Sequence, residues 1–329
     1  MEDVSSAAAT PAPSPAPSPA DPWKPAERHA VQDILRSLLE CEHRRQEASD
    51  ALISALSGLG RETTLHALAS ACLAGWAEQT ADGWHLTPLG RAQAVPIMRA
   101  HRLTETDLAR HSGLPAEQWH TSASSAEHSL STDEINALAD RLGNPRFDPH
   151  GDPIPTREGL FPEAIDQPLT TWPAGPCGMI AHIEDEPPRL FARLAKRGVF
   201  AGMRFRVHPG SSPSGELRLT VESLEESLPL ELAGLIRVSA LAPGDTPTPD
   251  GARRLNTLGN GQVGTVLALL PGSIGSERSR MLDLGFVPGS AVTPELASPL
   301  HGPVAYRVRG TLIALRASQA AQVLVQPVD

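Results

Sequence analysis

Residues Trp84 to Leu108 read WHLTPLGRAQAVPIMRAHRLTETDL. The Thr87-Pro88 step ends an extended segment, and the pattern beyond it predicts a helix over about 89–103 and another over 105–111. His101 and Glu105 stand four apart, so an imidazole and a carboxylate share one helical face. Farther on, GLPAEQWHTSASSAEH (Gly113–His128) predicts a turn and then a helix over about 118–125 that carries His120. Two imidazoles and one carboxylate suit a divalent first-row transition metal. The plainer reading is a surface i,i+4 pair with His120 covering the core. Ser124, Glu127 and His128 continue the pattern as H-x-x-x-S-x-x-E-H along the same helix. Ser131-Thr132-Asp133-Glu134 then caps a helix running to Leu142. PRFDPHGDPIP (Pro145–Pro155) is loop, and a domain boundary falls between Thr156 and Asp166.

On the N-terminal side, Met1–Pro22 is rich in Pro, Ala and Ser and has nothing to bury, which predicts a disordered tail. Ala30, Val31, Ile34, Leu35, Leu38 and Leu39 mark an amphipathic first helix ending near Cys41. Two more helices follow, over about 47–56 and 62–74, the latter burying Thr64, Leu68 and Ala71. Asp82-Gly83 inside WAEQTADGWHL signals a hairpin. Three helices and a hairpin form the layout of a winged helix-turn-helix. Arg61, Thr63, His66 and Ser70 are then the polar groups available to DNA. His29, on the first helix, would couple a metal site to this DNA-reading part.

On the C-terminal side a repeat emerges. LTTWPAGPCGMIAHI starts at Leu169 and LNTLGNGQVGTVLAL at Leu255, 86 residues later, while Gly198 and Gly285 are 87 apart. Each copy has short β-rich runs and one short helix, so two small, mostly β barrels are expected, separated by the linker APGDTPTPDGA.

Length and charge bound the rest. The 329 residues suit two to three domains, and 5 Trp, 1 Tyr and 6 Phe exclude a large aromatic core. A net charge of −10 excludes bulk electrostatic coating of nucleic acid or anionic lipid, though not a local DNA-reading surface. Cys41, Cys72 and Cys177 form no C-x-x-C, so the chain reads as reduced, without a disulfide framework or cysteine-bound zinc. No stretch is long and apolar enough to cross a membrane, and the start of the chain lacks signal-peptide character, pointing to a cytoplasmic protein without membrane insertion. No nucleophile elbow, phosphate loop or dinucleotide fingerprint is present, which argues against an enzyme. A hydrolase built on His101, Glu105 and His120 would lack a general base beyond its ligands.

The segments LTPLGR, M-R-x-H-R-L-x-E, W-H, E-H-x-L-S and H-G-D-P-I-P occur in an order and at a spacing that resemble the iron- and manganese-dependent repressors, the DtxR/MntR family. The resemblance covers about Glu27 to Pro155. It implies that His101, Glu105 and His120 are the ancillary metal ligands, with Arg102 a neighbouring anion contact. Glu127 and His128 would serve the primary, regulatory site, with His29 at the first-helix ligand position. Ser124 stands where the family has cysteine or glutamate, so it would offer a backbone carbonyl, a water or nothing. Arg253–Val328, and more distantly Gln167–Leu241, resemble FeoA-type SH3-like domains.

The expected architecture is thus α+β and multidomain: a tail (1–22), a winged helix-turn-helix (23–87), an all-α dimerisation and metal-binding domain (88–158), and two SH3-like barrels (167–241 and 253–329). The expected function is a homodimeric repressor of metal-uptake genes that binds a double-stranded DNA operator when it holds Fe(II) or Mn(II), Zn(II) also being compatible. The competing reading is a dimeric adaptor whose tandem FeoA-like domains engage a ferrous iron transporter or another protein partner.

Overall fold

The computed structural model describes residues 23–163, 165–210, 215–297 and 302–328; the expected N-terminal tail lies outside them. The chain divides after Thr87 into two units.

In the first unit, α1 (Pro25–Arg44) opens on a proline, whose missing N–H is harmless in the first turn, and closes on Arg45 in the left-handed conformation. It runs three residues beyond the expected end at Cys41. α2 (Asp50–Ser57) begins where the Ser49 side chain accepts from the Leu52 N–H, three residues later than its apolar pattern suggested. α3 (Arg61–Leu73) buries Thr64, Ala67, Leu68 and Ala71. The hairpin follows as β1 (Ala77–Thr80) and β2 (Gly83–Leu86). Its two loop residues are Ala81 and Asp82, because Thr80 pairs with Gly83. Gly83 has φ +105°, and a Cβ there would lie 3.0 Å from the Ala48 carbonyl oxygen. The Trp84 N–H donates to that same carbonyl and its indole to Asp50, which pins the hairpin to the start of α2.

The second unit is built on α4 (Pro88–His111), a single helix of 24 residues with Pro96 inside it. The break expected between Leu103 and Glu105 is absent: the Thr106 hydroxyl returns to the Arg102 carbonyl, and the helix continues. α5 (Trp119–Ala126) ends before Glu127, and Glu127–Ser129 forms a 3₁₀ turn, so the expected continuous helix through His128 tightens at its last turn. α6 (Thr132–Arg141) starts with the expected capping box between Ser131 and Glu134. Ala100 and Leu103 of α4 pack with Ile135, Leu138 and Ala139 of α6 and with Ile154.

Two antiparallel six-stranded β-domains complete this unit. The first contains β3 (Gln167–Pro168), β4 (Cys177–Ile183), α7 (Pro188–Lys196), β5 (Arg204–Val207), β6 (Leu217–Val221), β7 (Leu224–Leu228), α8 (Leu230–Ala233) and β8 (Ile236–Ala240). The second contains β9 (Arg253–Arg254), β10 (Gly264–Leu269), α9 (Gly275–Asp283), β11 (Ala291–Ala297), β12 (Val304–Val308), β13 (Thr311–Leu315), α10 (Ala317–Ala320) and β14 (Val323–Pro327). Their strand orders, β3-β8-β4-β5-β6-β7 and β9-β14-β10-β11-β12-β13, are the same. The bulges also correspond, between Ile180 and His182 in one copy and between Val266 and Ala268 in the other. Gly178 and Gly264, at matching positions, each leave no room for a Cβ.

The copies are not independent beads. Leu270 and Leu324 of the second copy join the core of the first, as do Ala116 and Trp119 from the helical part. At Gly275 (φ +56°) a Cβ would lie 1.8 Å from the Ser112 carbonyl oxygen just beyond α4. Gly275→Ala should therefore lower unfolding stability by about 2 kcal/mol or more, combining left-handed strain with overpacking. Gly113→Ala, where a Cβ meets nothing within 4 Å, serves as the control. Thermal melts of equal midpoint for the two variants would contradict this contact.

Candidate metal centre

Burial and helical spacing bring the first ligands together. His101 and Glu105, 4% and 2% exposed, lie one turn apart on α4, with His101 Nε2 3.2 Å from Glu105 Oε1. His120, in the first turn of α5, puts its Nδ1 3.4 Å from the same carboxylate oxygen and 3.3 Å from His101 Nε2. The Trp119 indole donates to the Leu114 carbonyl at 3.1 Å and fixes the start of α5. The expected triad is thus assembled.

The sequence reading missed three further groups around it. His150 Nδ1 lies 3.8 Å from Glu105 Oε2 and 3.9 Å from Asp185 Oδ2. Asp185 Oδ2 is also 3.2 Å from His120 Nδ1, and Glu186 Oε1 is 3.7 Å from His120 Nε2. Asp185 and Glu186 belong to the loop between β4 and α7, so the first β-domain reaches the site directly. Comparing the two repeats could have exposed them: the residues 87 positions later are Gly272 and Ser273, so the acidic pair is peculiar to the first copy.

His150 is held by its own turn. One oxygen of buried Asp148 accepts from the backbone N–H groups of His150, Gly151 and Asp152 at 2.8, 2.9 and 2.9 Å. Gly151 has φ +98°, and a Cβ there would sit 2.0 Å from the Ala181 carbonyl oxygen. The Ile183 N–H donates to the His150 carbonyl, which ties this turn to the end of β4 two residues before Asp185. The imidazole itself is sandwiched between Trp119 and Phe191, with ring centroids 5.8 and 5.0 Å away.

Glu127 lies beside His128, as expected, their ligand atoms within 4.8 Å of each other, and it also reaches His101. It is buried, and its carboxylate takes the Nδ1 side of His101, leaving Nε2 to face Glu105 and His120. A carboxylate behind an imidazole fixes the tautomer and orientation that a metal ligand needs. His128 and Ser124 are both half-buried, and Ser124 makes no side-chain hydrogen bond among the described residues. His29 is exposed on α1 of the first unit. Arg102 differs from the expected anion contact: it is 4% exposed, donates to the Pro153 carbonyl at 2.5 Å and lies 3.8 Å from Asp152. The H-G-D-P-I-P segment folds over it and takes up its charge.

The donor set fits a cation. Glu105 Oε1 and both His150 nitrogens are buried and make no hydrogen bond, while ring nitrogens and carboxylate oxygens converge at 3.2–3.9 Å. Such groups repel unless a proton or a metal ion lies between them. Protons serve in the free protein. Burial disfavours the charged form of His120, but Asp185 and Glu105 outweigh it and raise the imidazole to about 10. His150 moves the same way for the same reason. Burial would raise Asp185 and Glu105, yet the neighbouring imidazoles bring Asp185 down to about 2 and hold Glu105 well below the usual carboxylate range.

In the first unit, Arg61, Thr63 and His66 are exposed on α3. Ser70 is half-buried, and its hydroxyl donates to Glu27 of α1 at 3.1 Å, so it serves the α1–α3 contact.

Comparison with known proteins identifies the family. Residues 87–156 match the family model of the iron dependent repressor, metal binding and dimerisation domain, and residues 253–327 match the FeoA domain model. The iron-dependent repressor IdeR of Mycobacterium leprae is 35% identical over 167 residues, which is 46% of this chain and 71% of that protein. A manganese-dependent transcriptional repressor solved in complex with manganese is 26% identical, with a TM-score of 0.58 over 64% of this chain and 100% of its own. The crystal structure of T. acidophilum IdeR is also 26% identical, with a TM-score of 0.52 over 64% of this chain and 97% of its own. The chain belongs to the iron-dependent repressor family. The second β-domain is its FeoA domain, and the first repeats the same strand order.

Because His120 keeps its proton up to about pH 10 in the free protein, an ion entering the site must displace it. Metal affinity should rise about tenfold per pH unit between about pH 6 and 8, with proton release seen as buffer-dependent heats of Mn(II) binding. The opposite linkage holds for the metal-free fold. The stabilisation from the raised His120 is full below its ordinary value of 6.5 and is lost as pH climbs through about 10. A flat affinity with no proton release would contradict the protonated cluster.

Proposed function

We propose that this chain is a homodimeric, cytoplasmic, metal-dependent repressor that binds a double-stranded DNA operator controlling metal-uptake genes. The observation that carries the reading is the buried convergence of His101, Glu105, His120, His150 and Asp185. His101, Glu105 and His120 would hold one divalent ion, with Asp185, His150 and Glu186 closing the shell from the loops. Imidazole and carboxylate donors without thiolate accept Fe(II), Mn(II) or Zn(II). The bound ion supplies the positive charge that the imidazolium protons supply without it. Glu127 orients His101, and the H-G-D turn and the β4–α7 loop bring the first β-domain to the helical domain.

The regulatory role falls to Glu127 and His128 together with a first-helix group. By the family resemblance His29 would be that group, with Ser124 contributing its hydroxyl, carbonyl or a water. Since α1 also receives the Ser70 bond from α3, metal held by α1 would bias the helix that carries Arg61, Thr63 and His66. An ion shifts DNA affinity only as far as it binds one arrangement better than the other. This chemistry needs no catalytic turnover, so no enzymatic activity is assigned.

One observation favours the adaptor reading, in which the β-domains engage a protein partner. Between Trp23 and Thr87 there are six Lys/Arg against nine Asp/Glu, a poor balance for holding phosphates. Anaerobic DNA-binding titrations with Fe(II), Mn(II) and Zn(II) separate the two. The repressor reading expects saturable binding that a chelator abolishes. His120→Ala should lose both metal and DNA, whereas His66→Ala should keep metal and lose at least about tenfold in DNA affinity. A metal-loaded dimer that binds no duplex would leave the adaptor.

A further inference from the structure

α3 turns a stripe away from its buried face. At about 100° per residue, Glu62, His66, Ala69 and Leu73 lie opposite Thr64, Ala67, Leu68 and Ala71, and all four are exposed, Leu73 to 91%. Arg61 is the only Lys or Arg on the helix. Among the described residues, Arg61, Glu62, Thr63 and His66 make no side-chain hydrogen bond or ion pair within the chain. The helix therefore presents an unpaired carboxylate and an unpaired imidazole, one turn apart, at its start, followed by an apolar half.

Resting on the reading of α3 as the DNA-binding helix, we propose that Glu62 is a specificity-determining residue that selects a cytosine in each operator half-site, with His66 meeting the adjoining base pair. The first residues of a recognition helix are those that reach base edges in the major groove. A carboxylate in that position has only acceptors. Phosphates repel it, and guanine N7 and O6 and thymine O4 are themselves acceptors, whereas the cytosine N4 amino group donates outward into the groove. The neighbouring imidazole can donate to guanine N7 or O6. Each wrong base beneath Glu62 leaves a desolvated carboxylate unpaired, so the residue acts mainly by rejecting alternatives. The surplus of acidic groups in this unit works in the same direction, because weak attraction to phosphates leaves more of the binding to base contacts.

A first-turn glutamate also steadies a helix through the macrodipole. That role changes stability and leaves base preference alone, so selection of binding sequences separates the two. The full-length protein, loaded with Mn(II), is challenged with a pool of randomised duplexes, in parallel with Glu62→Ala and His66→Ala; melting curves accompany each. The wild type should enrich a half-site in which one cytosine is preferred by about tenfold or more. Glu62→Ala should lose that preference alone while keeping the rest of the site, and His66→Ala should relax the adjoining pair. If Glu62→Ala enriches the same site with the same stringency at every position, the proposal is overturned while DNA binding stands. If the loaded wild type enriches no sequence, the DNA-binding reading falls and this inference with it.

Discussion

A buried carboxylate organises the second unit. Glu105 sits on the inward face of α4, 2% exposed, where an isolated charge would be untenable, and three imidazoles from three separate segments gather around it. Each has its own support. His101 is oriented by Glu127, His120 is placed by the anchored start of α5, and His150 is carried on the Asp148 turn. The result needs a cation, and the loop bearing Asp185 completes it from a different domain. Metal chemistry and domain docking are therefore one problem in this molecule.

What was legible in the sequence follows from locality. His101 and Glu105 were readable because helical spacing fixes their mutual position, and the winged helix-turn-helix because apolar periodicity marks its helices and a glycine marks its hairpin. His150, Asp185 and Glu186 were not, since loops place them and only tertiary contacts decide where those loops lie. Glu127 was legible beside His128, where it lies, but its further contact with His101, 26 residues away in sequence, depends on tertiary packing. Arg102 is an anion contact by resemblance, and the H-G-D-P-I-P segment buries it. Ser70, expected among the polar groups available to DNA, donates instead to Glu27, a tertiary tie that spacing alone does not reveal.

The repeat shows how one small β-fold is put to two uses. Strand order, bulge and the crowded glycine recur in both copies, so the shared residues are those that the fold itself demands. The loop after the long central strand is where they part. In the first copy it carries Asp185 and Glu186 to His120. In the second it carries Leu270 to the common core, while Gly275 beyond it presses on the end of α4. A second copy wedged against both the helix and the first copy gives the loop that carries Asp185 a fixed backing, which would lower the ordering entropy to be met if an ion binds there.

The central claim is that the metal centre spans the helical domain and the first β-domain. Anomalous diffraction from crystals of the full chain grown with Mn(II) addresses it directly. The account predicts a peak about 2 Å from His101 Nε2, His120 Nδ1 and oxygens of Glu105 and Asp185. A peak whose ligands all precede Thr156, with the Asp185 carboxylate turned away, would contradict it.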